Sequence, residues 1–330
     1  MKRTALTSLA ALVLLCGTLL FVSRFRDARL TLGAVLARFG VLVGMESENV
    51  TFRSTDASLS GTIVFPEQSQ PTAAVVLVHG SGRAERMLWL ARLFASEGLA
   101  VLTYDKRGVG QSGGQFQGGP SAASASNLDL LAQDAAAAAS VLVQHPRTAQ
   151  TSVGYVGVSQ GGWIIPIAAS GPPAISFMLF FSGPVATVSE ERHFSNLAEN
   201  DPRFWQTHSR GDVAEYMKSV RYSDGDVDPR TNLATLRIPG FWAFGGQDNI
   251  MPVHLSVTRL TELIARGQSQ FQYREYQRYG HELVVFDFST IALSQPFKDG
   301  VKWIRDSRGQ SQTNRPGSRP SLADSPVGPP

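Results

Sequence analysis

The chain has 330 residues, a formal net charge of +3 and an apolar content of 43%, which suits one large domain with a sizeable core. Its basic residues are scattered along the sequence, so we expect no nucleic-acid partner. The one cysteine, Cys16, excludes an intrachain disulfide and leaves the folded region without a cysteine nucleophile or a cysteine metal site.

Residues 1–29 contain an apolar run, 5–22, with basic residues on both sides. The run approaches the ~20 residues that span a bilayer, and no small-x-small cleavage site precedes the arginines that follow it. We therefore favour an uncleaved membrane anchor over a cleaved signal peptide. Either one would make the protein membrane-anchored, secreted or periplasmic. Residues 30–45 are predicted to form an amphipathic linker.

A folded domain is predicted over 46–306. Apolar and polar residues alternate in 49–54 and 59–65, which predicts an antiparallel hairpin. Continuous apolar runs then alternate with segments of helical periodicity, as in βα units that build a mostly parallel sheet with helices on both faces. The predicted strands of these units are 73–78, 99–104, 153–158, 175–181, 241–244 and 271–276. The predicted helices are 85–97, 128–143, 163–169, 252–266 and 294–305.

This alternation stops between 184 and 236, where the chain is polar and charged with scattered aromatic residues and has no strong strand. The pattern favours a helical insertion that caps the ends of the strands. Beyond residue 306 the sequence is rich in serine, proline, glycine and arginine and has no apolar anchor. Residues 307–330 are therefore predicted to be a disordered tail.

The segment Gly157-Val158-Ser159-Gln160-Gly161 lies between a predicted strand and a predicted helix. A Gly-x-Ser-x-Gly sequence at such a junction is the pattern of a nucleophile elbow. The serine must lie on a sharp, strained turn, so the positions two before and two after it should be nearly free of side chain. The N-terminal N–H groups of the following helix would favour negative charge formed beside the hydroxyl.

A serine hydroxyl alone is a weak nucleophile, and it needs a base that is oriented by an acid. His281 follows the predicted strand 271–276 and is preceded by a glycine, so we predict that it is the base. Asp248 follows the predicted strand 241–244 and gives the chain order Ser, Asp, His. The alternatives are a surface histidine, a helix-capping aspartate, and Glu282 as a weaker candidate acid.

An oxyanion hole requires two preorganised N–H groups near the serine. One is predicted to be the backbone N–H of Gln160. The other is predicted to come from the loop His79-Gly80-Ser81-Gly82, from the backbone N–H of Ser81, with the side chain of His79 in a structural role. This chemistry requires no metal and no organic cofactor.

The His-Gly-Ser-Gly loop, the Gly-Val-Ser-Gln-Gly elbow, the Gly-Gly-Gln-Asp loop and the Tyr-Gly-His loop follow one another in the order found in the α/β-hydrolase superfamily, which 46–306 resembles. The resemblance implies an α/β-hydrolase fold, with a mostly parallel eight-stranded sheet, flanking helices and a helical cap. The segment 104–112 is similar to the superfamily's Asp-x-Arg-Gly-x-Gly-x-Ser loop, which implies that Asp105 and Arg107 stabilise the fold. Bacterial esterases and the serine-aminopeptidase-like group are the most similar members.

These patterns favour a serine hydrolase that acts on a small-molecule ester or acyl substrate through an acyl-enzyme. A peptidase, a thioesterase or an acyltransferase on the same fold is the alternative, and a peptidase would use acidic groups such as Glu190, Glu191 and Glu199 to hold a substrate amine. A membrane-tethered binding module without turnover is a rival of a different class. The sequence does not specify an oligomeric state.

Overall fold

The computed structural model describes residues 45–67, 70–222, 226–284, 286–287 and 292–313. The chain divides into two units, of which the second comprises residues 45–286 with 293–330. The predicted anchor, 1–29, and the linker up to residue 44 lie outside the described residues. Within the described part of the chain, no helix is long and apolar enough to cross a membrane.

An eight-stranded sheet forms the centre of the second unit. Its strands are β1 Ser47–Ser54, β2 Ala57–Val64, β3 Ala73–Val78, β4 Leu99–Tyr104, β5 Val153–Val158, β6 Phe177–Phe181, β7 Gly240–Gly245 and β8 Phe271–Tyr276. The order across the sheet is β1-β2-β4-β3-β5-β6-β7-β8. The β1–β2 and β2–β4 pairs are antiparallel, and the remaining pairs are parallel. The predicted mostly parallel, eight-stranded sheet is confirmed.

The helices are α1 Leu88–Ser96, α2 Ala125–Gln144, α3 Gly161–Ala169, α4 Val188–Ala198, α5 Phe204–Thr207, α6 Arg210–Ser219, α7 Arg230–Leu233, α8 Val253–Ala265 and α9 Gln295–Thr313. Gly119–Ala123 forms a short 3₁₀ helix, and two short strands, β9 Phe286–Asp287 and β10 Ala292–Leu293, pair with each other. The insertion predicted over 184–236 is helical and contains α4 to α7. We call this insertion the cap.

Burial explains the apolar sequences of the strands, and the strand register brings the loops after them to one end of the sheet. Every residue of β3, β4, β6 and β7 is buried, as expected where helices cover both faces of a sheet. The residues at the carboxyl ends of neighbouring parallel strands lie opposite each other: Val78 and Gly157, Val158 and Phe181, and Gly245 and Tyr276. The loops that follow these strands therefore leave the sheet from one edge, where ligands bind in open α/β sheets.

Two helix starts differ from the prediction because side chains cap or divert the backbone. Helix α1 begins after the predicted residue 85, at Leu88; ahead of it, the N–H and the guanidinium of Arg86 both bond the Asp105 carboxylate, which holds residue 86 against the loop after β4. Helix α2 begins before the predicted residue 128, since the Ser124 hydroxyl accepts the N–H of Asn127 and caps the helix there.

The prediction of a disordered tail from residue 307 is wrong in its first part. Helix α9 runs on to Thr313, so residues 307–313 are helical. Ser307 is buried and anchors the turn beyond the predicted end, and the next proline is Pro316, so nothing stops the helix at 306. Residues 314–330 lie outside the described part of the chain.

Candidate active site

The predicted elbow joins β5 to α3, and Ser159 has the left-handed backbone that such a turn requires, with φ at +51°. A Cβ atom added at Gly157 would come within 2.5 Å of Ile165 Cδ1, the end of a flexible side chain, so a larger residue two before the serine would require that side chain to move. The position two after it is less restricted than predicted, because a Cβ on Gly161 would meet its nearest atom at an ordinary 3.4 Å. The tight position is Gly162, where a Cβ would lie 2.4 Å from the cap's Pro184.

The structure brings the predicted base and acid together. His281 Nδ1 lies 2.9 Å from Asp248 Oδ2, and the Asp248 side chain is fully buried. The other carboxylate oxygen, Oδ1, accepts the N–H groups of Ile250 and Met251 at 2.8 Å each. Asp248 is therefore a turn-capping residue ahead of α8, and these bonds fix its carboxylate in contact with the predicted base.

Backbone packing holds the loops of the acid and the base against each other. A Cβ on Gly245 would lie 2.0 Å from the carbonyl oxygen of Gly280, so the two loops touch main chain to main chain. The N–H of Gln247 donates to the carbonyl of Tyr279 at 2.8 Å. These contacts hold the backbones of the two loops at a fixed separation, which favours the contact between the Asp248 and His281 side chains.

The end of β6 links this pair to the elbow. The Ser159 N–H donates to the Phe181 carbonyl at 3.0 Å, and the next residue, Ser182, donates from its hydroxyl to the carbonyl of His281 at 2.7 Å. Among the described contacts there is no hydrogen bond between the Ser159 hydroxyl and His281. Such contacts in catalytic sites are often long without substrate and tighten when it binds.

The charges around His281 favour its protonated form. Burial lowers the pKa of His281, but the hydrogen bond and the negative charge of Asp248 outweigh burial, with further help from Glu191 and Glu282. The pKa of His281 is therefore raised above its ordinary value. Such a residue accepts a proton more readily than a histidine in water.

The predicted oxyanion residues lie beside the serine. A Cβ on Gly80 would lie 3.4 Å from the Cβ of Ser159, so the loop that contains Ser81 passes directly next to the elbow. Ser81, Ser159 and Gln160 line one cavity of about 420 Å³. Trp163 and other apolar side chains form part of its wall. The size fits a small ligand.

Three solved structures share this architecture. An esterase from Pyrococcus furiosus superposes with a TM-score of 0.54 at 17% identity, covering 82% of this chain and 92% of that one. Acetyl xylan esterase 1 from Thermoanaerobacterium sp. gives 0.51 at 17% identity, covering 86% and 94%. An acylaminoacyl peptidase from Pyrococcus horikoshii gives 0.53 at 16% identity, covering 72% of this chain and 38% of that one.

The sequence comparison agrees with the fold. A family model described as serine aminopeptidase, S33, matches residues 69–208. The chain has the α/β-hydrolase fold. No curated protein matches it significantly in sequence. At identities below 20%, the three structures establish the fold of this domain and not its substrate.

The acidic residues that the sequence offered for holding a substrate amine have different surroundings in the cap. Glu190 is buried in an ion pair with Arg259 and caps α4 through Thr187, so it has a structural role. Glu199 is exposed at the end of α4. Glu191 lines the cavity, and burial raises its pKa to about 7. Sequence analysis could not distinguish these residues, because the face of α4 that meets the cavity depends on how the cap packs.

The loop after β4 stabilises the α/β-hydrolase domain as the resemblance implies. Asp105 accepts hydrogen bonds from the Arg86 guanidinium, the closer at 2.7 Å, and from the Gln111 N–H at 2.9 Å. Arg107 pairs with the buried Asp134 at 2.7 Å. His79 is buried edge-on against Tyr104, and burial lowers its pKa to about 3, which agrees with the predicted structural role.

Lys106 is the residue of this loop that sequence analysis missed. Its ammonium donates to the carbonyl oxygens of Gly80 at 2.7 Å and Gly82 at 3.2 Å, and to Gln160 Oε1 at 3.2 Å. The only sequence signal is its place between two structural residues, since its partners lie far away along the chain.

Proposed function

We propose that this α/β-hydrolase is a serine hydrolase that cleaves carboxylic esters of small molecules, with Ser159 as nucleophile, His281 as base and Asp248 as the acid that orients the base. The observation that carries the proposal is the 2.9 Å contact between the buried Asp248 carboxylate and His281. Hydrogen bonds at the end of β6 connect this pair to Ser159, which lies on a left-handed turn. Each residue type has the role that its surroundings support.

In the first step, Asp248 engages Nδ1 of His281 and so fixes the tautomer in which Nε2 is free to accept a proton. Ser159 Oγ attacks the ester carbonyl and gives its proton to Nε2. The imidazolium that forms is stabilised by the Asp248 carboxylate, in line with the raised pKa of His281. The proton then passes to the leaving alcohol, and water hydrolyses the acyl-enzyme by the same route.

The tetrahedral intermediate places a negative charge on the former carbonyl oxygen. The backbone N–H groups of Ser81 and Gln160 lie on the segments that adjoin Ser159, and we assign the oxyanion hole to them. Helix α3 starts at Gly161, directly after the serine and Gln160, so its N-terminal end adds favourable potential there.

An ester is favoured over other acyl substrates by the apolar part of the cavity wall and by two of the structural neighbours, whose names describe esterases. A peptidase is the second candidate, since the matching family model is described as a serine aminopeptidase and one structural neighbour is named as an acylaminoacyl peptidase. Glu191 supports that candidate, because its carboxyl lines the cavity and its ionised form could pair with a substrate amine.

We also propose that residues 1–29 hold the protein at a membrane or direct its export. The support is the apolar run between basic flanks in the sequence. Fractionation of cells that produce the full chain, with and without residues 1–29, would test this: loss of membrane or exported protein on truncation is expected, and an unchanged distribution would contradict it.

The proposed activity is tested with the full chain on p-nitrophenyl acetate, p-nitrophenyl octanoate and alanine p-nitroanilide. We expect both esters to be cleaved faster than the anilide, and Ser159→Ala to lower kcat by about 10⁶-fold, to the background rate. The matched control is Ser269→Ala, an exposed serine before β8, which should behave as the parent. Faster cleavage of the anilide would favour the peptidase, and Ser159-independent turnover would contradict both.

A further inference from the structure

Lys106 occupies an unusual place for an ammonium group. The residue is 3% exposed, and its amine lies among three oxygen atoms that belong to two different segments of the proposed site. Burial lowers its pKa to about 8, so the charged form still predominates at neutral pH. A charge held out of water in this way is costly unless several acceptors surround it.

The bond from Lys106 to the Gly80 carbonyl orients a peptide unit in the loop after β3. In a trans peptide unit the carbonyl of one residue and the N–H of the next point in opposite directions. The carbonyl of Gly80 and the N–H of Ser81 belong to one such unit. Because Lys106 Nζ holds the Gly80 oxygen at 2.7 Å, the Ser81 N–H must point away from the lysine. The second bond, to the Gly82 oxygen, holds the next part of the loop from the same side.

The third acceptor joins the other half of the hole to the same lysine. Gln160 Oε1 accepts from Lys106 at 3.2 Å, while Gln160 Nε2 donates to the carbonyl of Ala122 at 2.8 Å. The side chain of Gln160 is thus fixed at both ends, and its backbone N–H is the other proposed donor. One ammonium group therefore ties together the two segments that must present N–H groups to one oxygen.

The backbone of the lysine adds to this arrangement. The Lys106 N–H donates to the carbonyl of Ala84 at 3.0 Å, so main chain and side chain of one residue hold both ends of the loop 80–84. The neighbouring Asp105 and Arg107 form ion pairs that anchor Lys106 at the end of β4.

We infer that Lys106 is a positioning residue for the oxyanion hole: its ammonium holds the Gly80–Ser81 peptide in the orientation that directs the Ser81 N–H towards the reacting carbonyl oxygen and fixes Gln160 beside it. This role rests on the proposed serine hydrolase activity. Lys106 acts through the loop and does not touch substrate. Without the ammonium, the peptide can rotate and present its carbonyl instead, which repels the developing oxyanion.

The inference is tested on the full chain with Lys106→Met, which keeps the length of the side chain and removes every donor. Loss of one donor of an oxyanion hole lowers kcat by about 100-fold or more, and we expect a loss of this size with KM changed less than about threefold. A trifluoromethyl ketone, whose adduct with serine carries an oxyanion, should lose affinity by the same factor as kcat. The control is Lys298→Met, at an exposed position of α9.

A purely structural lysine would give a different result. Its loss would lower thermal stability and could raise KM, but kcat and the affinity for the ketone would not fall by the same factor. If Lys106→Met does not fold, the same comparison is made on Lys106→Gln, whose amide keeps a neutral donor and should lose less of both quantities. Unchanged kcat in a folded variant, or a kcat loss without a matching loss of ketone affinity, would overturn the inference. No Ser159-dependent turnover in the parent would instead overturn the proposed function and, with it, the inference.

Discussion

The carboxyl ends of the strands and the outer surface of the cap hold their charged side chains in different ways. At the carboxyl ends of the strands, Asp105 and Arg107 are nearly inaccessible: Asp105 accepts hydrogen bonds from Arg86 and Gln111, and Arg107 donates to Asp134. In the cap, Arg203 pairs with Asp201 at 3.6 Å while its side chain is 75% exposed. Breaking the first kind of contact leaves a buried charge without a partner, whereas water replaces the second kind at little cost.

The two regions also differ in their cores. The sheet packs against a large continuous cluster, which both ends of the cap join, while the middle of the cap has its own small cluster of Phe194, Ala198, Phe204, Val213 and Met217. Loops fixed by a rigid scaffold suit chemistry, which tolerates little displacement of the reacting groups. A cap segment with only a small cluster of its own suits the recognition of substrate. We therefore expect the strongest effects of mutation at the strand ends and weaker ones in the cap.

The largest effect is expected for Asp248→Asn. An amide keeps the shape but no longer selects the tautomer of His281 or stabilises the imidazolium, so kcat should fall by about 10⁴-fold. The measurement is steady-state hydrolysis of the preferred ester, with Asp129→Asn on the exposed face of α2 as control. A loss below about tenfold would mean that Asp248 only caps the turn, through its bonds to the N–H groups of Ile250 and Met251.

The next largest effect concerns the free energy of unfolding, which should respond differently to mutation in the two regions. Arg107→Met leaves Asp134 buried without its partner and should lower the free energy of unfolding by about 3–5 kcal/mol. Arg203→Met in the cap removes an exposed pair and should cost less than about 1 kcal/mol. Urea unfolding of both variants measures the difference. Equal losses would contradict the contrast between strand ends and cap.

A smaller effect is expected where the cap touches the acid loop. Trp205 Nε1 donates to the backbone carbonyl of Asp248 at 2.7 Å, and the Arg210 guanidinium, which lies over the Trp205 ring, bonds the carbonyl of Gly246. Trp205→Phe removes the donor and keeps an aromatic ring, so kcat/KM should fall about fivefold, the equivalent of one neutral hydrogen bond. Trp89→Phe, at a side chain 57% exposed, is the control. Identical kinetics for the two variants would show that the cap does not help to position Asp248.

The smallest effect concerns pH. The neutral form of His281 is the base, so kcat/KM should fall as the pH drops through its pKa, which lies above the usual value. The ionised Glu191 contributes to that rise, so Glu191→Gln should move this acid limb to lower pH by about 0.5 units. The matched control is Glu215→Gln at an exposed position of α6. A limb that stays in place or moves to higher pH would show that Glu191 does not act on His281.

Local spacing explains why the sheet and the proposed triad could be predicted. Each residue of the triad follows a strand whose apolar run is visible in the sequence, and parallel strands bring such positions to one edge. The elbow carries its own backbone constraint, since Ser159 adopts a positive φ. None of these statements needs a contact between distant side chains.

The parts that could not be predicted depend on such contacts. Lys106 gains its role from Gly80 and Gln160, which lie 26 and 54 positions away in the chain, and nothing in the local sequence records either distance. The cap helices α5 and α7 are short, so they show too little periodicity for their packing to be predicted from sequence. The different surroundings of Glu190 and Glu191 also appeared only in the structure, because they depend on how α4 packs within the cap.

The most direct test is the reaction of the full chain with a fluorophosphonate, followed by mass spectrometry of its peptides. This reagent forms a stable adduct only with a serine that a neighbouring base activates. We expect one adduct, on Ser159, that is absent in Ser159→Ala and forms much more slowly in Asp248→Asn. A folded parent that stays unlabelled, or an adduct on another residue, would contradict the assignment of Ser159, His281 and Asp248 to one catalytic site.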